Sequence, residues 1–168
     1  MRRTSLVQRL FTLACAVWAI DFLTKNWAVA NLSSSPRQII GSFLQLTLLR
    51  NPGAAFSMAT GFTIIFTTIS VGVAIFIMRY AVRITSHWWA NVAGLVLGGV
   101  LGNLSDRIFR EPGFLYGHVI DWIEIPHWPI FNVADSSIFI AAGIAILLTI
   151  KNISPTAAIN DDKSGHNE

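Results

Sequence analysis

Two aspartates, Asp121 and Asp135, flank a short aromatic and proline-bearing connection in the stretch VIDWIEIPHWPIFNVAD (119–135). Asp135 leads into an apolar run, SSIFIAAGIAILLTI, that is comfortable only as a helix in lipid or in a core. A carboxylate at the mouth of such a run is costly, which makes it a functional candidate by default. Two acids brought close together cannot both ionise easily, so one keeps its proton. The charged member can then take a proton from a water held between them. The neutral member can hydrogen-bond a carbonyl and later protonate a leaving amine. This is peptide hydrolysis with neither a metal nor a covalent intermediate. A separation of fourteen residues permits the two side chains to meet and does not establish that they do.

Other polar residues stand where apolar ones are expected. Asp21 and Lys25 lie one helical turn apart, on one face of a first apolar run. They could simply neutralise each other, as intramembrane charges usually do. Asn51 and Gly53 sit in NPGAAF, readable either as a tight turn or as small residues admitting a peptide backbone. In GGVLGNLSDR (98–107), the Gly98 and Gly102 spacing suits close helix packing. It leaves Asn103, Asp106 and Arg107 unexplained, with Asp106 and its neighbour Arg107 readable as a structural ion pair. Asn132 stands three residues before Asp135, which could then belong to the first turn of its helix, where the dipole favours a carboxylate. His118 and His127 flank Asp121 and Glu124, but the spacing is not a zinc pattern and Pro126 interrupts a helix. Cys15, the sole cysteine, excludes an intrachain disulfide and reads as core. No serine stands in a GxSxG context.

The elements that must position these groups follow from composition. Of 168 residues, 53% are hydrophobic and 12% charged. A soluble domain carries about twice that charged fraction, and the mean hydropathy is +0.56. This is a membrane protein. A net charge of +3, with no basic patch interleaved with aromatics, is too mild to suggest a nucleic-acid partner, and none is expected. Although the amino terminus imitates a secretory signal, its apolar run continues to Ala30, long enough to span a bilayer. Four spans are expected, over about residues 10–30, 62–78, 88–105 and 131–150. The polytopic domain then covers 1–153 and leaves 154–168 as a disordered tail. Within the long first loop, Phe43–Leu49 alternates, with Leu44, Leu46 and Leu48 on one face and Gln45 and Thr47 on the other, as in a strand. Trp88, Trp89, Trp122 and Trp128 stand near span ends, as interfacial anchors do.

An even number of spans puts both termini on one side. Arg2, Arg3, Arg9, Arg79, Arg83, Lys151 and Lys163 fall there, against Arg37, Arg50, Arg107 and Arg110 on the other. That bias makes the termini cytoplasmic. All the membrane-edge polar candidates then gather at the outer face, and the inner halves of the spans carry no charge. A transporter would string charges across the bilayer; a one-sided cluster suits a site that receives its substrate at that face.

The motifs DFLTK (21–25), NPGAAFS (51–57), GNLSDR (102–107), VIDW (119–122) and FNVADS (131–136) occur in an order and spacing that resembles the lipoprotein signal peptidase (signal peptidase II) family of bacterial aspartic proteases. The resemblance implies four transmembrane helices with a small extracytoplasmic β-cradle and a short interfacial helix. It implies Asp121 and Asp135 as the catalytic pair, and Asn51, Gly53, Asn103, Arg107, Asn132 and Ala134 as the lining of the substrate groove. Asp21, Lys25 and Asp106 would support that groove. The implied substrate is a diacylglyceryl-modified prolipoprotein at the inner membrane, cut before its lipidated cysteine. No cofactor, a monomeric state and inhibition by globomycin are also expected. Trp122 stands where the family often has Phe, a change that keeps the bulk.

Overall fold

The computed structural model describes residues 3–53 and 63–156. It contains four long helices, α1 (Arg3–Asn31), α2 (Thr63–Tyr80), α3 (His87–Phe109) and α4 (Val133–Ile150). All four are long and apolar enough to cross a membrane. Three strands, β1 (Arg37–Ile40), β2 (Leu44–Asn51) and β3 (Val119–Glu124), form one antiparallel sheet in the order β1-β2-β3. The sheet joins α1 to α2 and α3 to α4 at one end of the helices. The expected interfacial helix has no counterpart among the described residues; a further helical turn, Ala81–Arg83, links α2 to α3 at the opposite end. Residues 54–62 and the expected tail beyond Thr156 lie outside the described residues. Short of that limit, the Pro155 carbonyl accepts from the Thr85 amide (2.9 Å), so order continues past the expected boundary at 153.

The central element is α3. More than half of its spanning window (56%) is buried, against 17–28% in the other three. Glycine makes this possible, because without a hydrophobic drive between helices in lipid, close packing has to hold them together. A Cβ on Gly98 would lie 2.6 Å from Val17 Cβ and 2.7 Å from the Ala14 carbonyl, and one on Gly94 would lie 2.8 Å from the Leu10 carbonyl. These two glycines bring α1 against α3. On the other side, Gly99 faces the Ala134 carbonyl and the Ser137 hydroxyl of α4.

Several expectations need correction. Cys15 is exposed on α1, facing where lipid would lie rather than into the core. Helix α1 begins at Arg3, earlier than expected, and Arg9 within it donates to Asn91 on α3 (2.6 Å); Arg79 lies in the last turn of α2, so charges do occupy the helix ends away from the sheet. Helix α4 starts at Val133 because Phe131 bridges to Ile123 and Asn132 is the cap. In β2 the buried side chain is Thr47, not a leucine. Trp88 and Trp128 are exposed as anchors should be, whereas the Trp89 indole donates to the Ile153 carbonyl (2.7 Å) and Trp122 packs edge-on against Trp27.

The glycine packing sets a direct comparison. Gly98→Leu should destabilise the protein by about 1–3 kcal/mol, since the seam between α1 and α3 has no room for it. Gly143→Leu, on the exposed face of α4 with nothing near its Cβ, should change stability little. Thermal unfolding of both variants in detergent measures the contrast.

Candidate active site

A buried ammonium organises the site. Lys25 is 1% exposed, and its Nζ lies 2.7 Å from Asp21 Oδ2, 2.9 Å from Asp106 Oδ2 and 2.8 Å from Asn103 Oδ1. Three donors meet three acceptors, two of them anionic, which is what burial of a lysine demands. Asp106 is paired with Lys25 and with Arg110, one turn along α3, and not with Arg107 as expected. Adjacent residues on a helix point in different directions, so Asp106 and Arg107 cannot share a partner face. Arg110 also donates to Asn26 on α1 (3.1 Å). Its position four residues after Asp106 was the available signal for this role.

The two supporting aspartates each hold a backbone amide. Asp21 Oδ1 accepts from the amide of Ala134 (2.8 Å), and Asp106 Oδ2 accepts from the amide of Ile120 (3.1 Å). Ala134 and Ile120 are the residues immediately before Asp135 and Asp121. The lysine cluster therefore fixes the backbone beneath both candidate catalytic acids at once.

Asp121 lies on β3 and Asp135 in the first turn of α4, and both line one cleft of about 450 Å³. Asp121 is 1% exposed. Its Oδ2 accepts from Asn51 Nδ2 (2.8 Å) and its Oδ1 from Asn132 Nδ2 (2.6 Å). Asp135 Oδ1 accepts from Asn103 Nδ2 (2.8 Å), while its Oδ2 accepts from the Asn132 amide (3.3 Å). The Asn132 side chain in turn caps the Asp135 amide (2.9 Å), completing a capping box. Asp135 does stand in the first turn of its helix, as its local sequence allowed, and the contact with Asn103 adds to it. Burial first, and the charge of Asp135 second, push the Asp121 carboxyl up to about 7, against the lowering effect of the bonds from Asn51 and Asn132. Asp121 is thus held toward its protonated form.

Asn51, Gly53, Asn103 and Arg107 line the same cleft, together with Phe66, Ile69 and Ser70 of α2 and with Trp128 to Phe131. Arg107 donates to the Gly117 carbonyl (3.2 Å). Gly53 has φ +119°, and a Cβ there would come within 3.5 Å of Arg107 Nη2, so its glycine character serves both the turn and the space. Asn132 and Ala134, expected in the groove lining, are fully buried and lie beneath it. The apolar wall from α2 carried no signal of its own, since its residues look like any others in a lipid-spanning run.

Removing the ammonium should leave Asp21 and Asp106 buried without their cation. Lys25→Met is expected to cost about 3–5 kcal/mol, whereas Arg37→Met, on the exposed strand β1, should cost almost nothing. Unfolding temperatures of the two variants in the same detergent test this.

Residues 13–151 match the family model described as signal peptidase (SPase) II. The lipoprotein signal peptidase of Rhodococcus jostii (strain RHA1) is 50% identical over 147 residues, 87% of this chain and 74% of its own length. That of Leifsonia xyli subsp. xyli (strain CTCB07) is 49% identical over 146 residues, 86% of this chain and 68% of its own. A solved structure described as a bacterial membrane enzyme superposes with a TM-score of 0.73 at 25% identity, covering 95% of this chain and 94% of that one. With four membrane-spanning helices, a three-stranded sheet and a match over most of its length, this chain belongs to the signal peptidase II family.

Proposed function

We propose that the protein is an aspartic endopeptidase that removes the signal peptide from diacylglyceryl-modified prolipoproteins, cleaving before the lipidated cysteine. The observation that carries the chemistry is the placement of Asp121 and Asp135 on one cleft, joined through Asn132 and Asn103. Family membership carries the substrate.

In this reading Asp135, whose carboxylate accepts hydrogen bonds at the amino end of α4, takes a proton from a water in the cleft. Asp121, protonated near neutrality, hydrogen-bonds the scissile carbonyl as the water attacks. The proton of Asp121 passes to the departing amine, and the one taken up by Asp135 restores the pair. Asn51, Gly53 and Arg107 hold the peptide along the cleft; Asn103 and Asn132 hold the acids. No metal or organic cofactor takes part. The charge bias of the loops puts both termini in the cytoplasm and the cleft at the outer leaflet of the bacterial inner membrane, where a lipid-anchored cysteine would present its peptide bond. A monomer suffices, and a globomycin-type peptide is the expected inhibitor.

Asp121→Asn and Asp135→Asn should each lower turnover of a diacylglyceryl prolipoprotein by roughly 10²–10⁴-fold while leaving the protein folded, and chelators should have no effect. Wild-type cleavage by either variant would refute the assignment. The pH dependence follows from the raised carboxyl of Asp121. Below about 7 the acid keeps the proton it must donate, and above it that proton is lost, so kcat/KM should decline as pH rises through about 7.

A further inference from the structure

The site explains the glycines, the lysine cluster and the asparagines. Outside it, the Thr47 hydroxyl of β2 donates to the Glu124 carboxylate of β3. Thr47 is 7% exposed, the one buried side chain of β2.

Strand register shows what this contact does. Leu46 pairs with Ile123, and Leu49 pairs with Asp121. From Leu46 to Leu49 is three steps on β2, and from Ile123 to Asp121 is two on β3, so β2 carries one extra residue between them: a bulge. Side chains alternate along a strand. Thr47 and Asn51 are four apart and would share a face if β2 were regular. Their partners, Glu124 and Asp121, are three apart and lie on opposite faces of β3. Both contacts exist, Thr47 to Glu124 and Asn51 to Asp121 (2.8 Å). They are compatible only because the extra residue turns β2 over between them. A slip of one residue would aim Asn51 away from the acid.

We infer that Thr47 and Glu124 are positioning residues: their bond pins the β2 bulge and thereby holds Asn51 against Asp121. The inference rests on the proposed peptidase reading for its kinetic consequence, though not for its structural one. Asp121 is also faced by Asp135 from α4, Lys25 from α1 and Arg107 from α3, all on elements other than β2. Loosening Asn51 removes a bond that lowers the Asp121 carboxyl, so the sign of the effect is upward.

The test uses the full-length protein in detergent with carboxyl-¹³C aspartate, following the titration of Asp121 by NMR alongside prolipoprotein cleavage. Thr47→Val should move the Asp121 midpoint to higher pH and lower kcat/KM roughly tenfold. Thr47→Ser, which keeps the hydroxyl, should restore both. In an Asn51→Ala background, Thr47→Val should add no further shift. Should Thr47→Val not fold, Glu124→Ala breaks the same bond from the other strand and is read identically. An unmoved Asp121 midpoint in a folded variant overturns the inference, as does an equal shift with and without Asn51. If the parent fails to cleave the substrate, the peptidase reading fails, while the titration still decides the role of Thr47.

Discussion

One buried positive charge holds the molecule to its purpose. The Lys25 ammonium is out of water and is tolerable only because Asp21, Asp106 and Asn103 close around it. Each partner then does a second thing. Asp21 reaches the backbone at the start of α4, Asp106 reaches the backbone of β3, and Asn103 reaches the Asp135 carboxylate. Four elements that are distant in sequence converge on three hydrogen-bond acceptors. An ion cluster of this kind is weak as a source of net stability, since desolvation offsets much of the attraction. Its value lies in geometry, because each lost member would leave another charge stranded.

The same economy governs α3. Its glycines let α1 and α4 approach from two sides, and Gly102 leaves room for the Asp21 carboxylate, which would lie 2.5 Å from any Cβ placed there. A small-residue stripe is often read only as helix packing. In this chain it also creates the space in which the ion cluster sits.

The residues of the cluster and of the acid pair were legible because their chemistry contradicts their surroundings. An aspartate or lysine in an apolar run stands out, and motif order then supplied the family. What stayed hidden has physical causes. In a lipid-spanning helix the buried and the lipid-facing sides are both apolar, so no contrast placed Cys15 outside or Phe66 on the cleft. Asp106 and Arg107 are neighbours in the chain and diverge in space, which a linear reading compresses into a pair. The bulge in β2 defeated the alternation rule, since a single added residue exchanges the faces beyond it. Burial of Asn132 and Ala134 depended on how α4 docks against α1 through Asp21, a contact spanning more than a hundred residues.

The cleft is walled by α2 on one side and by the start of α4 on the other, and α2 packs chiefly on α3. With the four helices across a bilayer, as proposed, its lateral side would face acyl chains while its upper rim lies beside the sheet. For the proposed hydrolysis, the two reactants come from different phases: the peptide by diffusion in the plane of the bilayer, the water from the aqueous side. Turnover would then depend on the surface density of substrate rather than on its bulk concentration. Diluting the enzyme into more lipid would slow it even where the volume of the suspension stays the same.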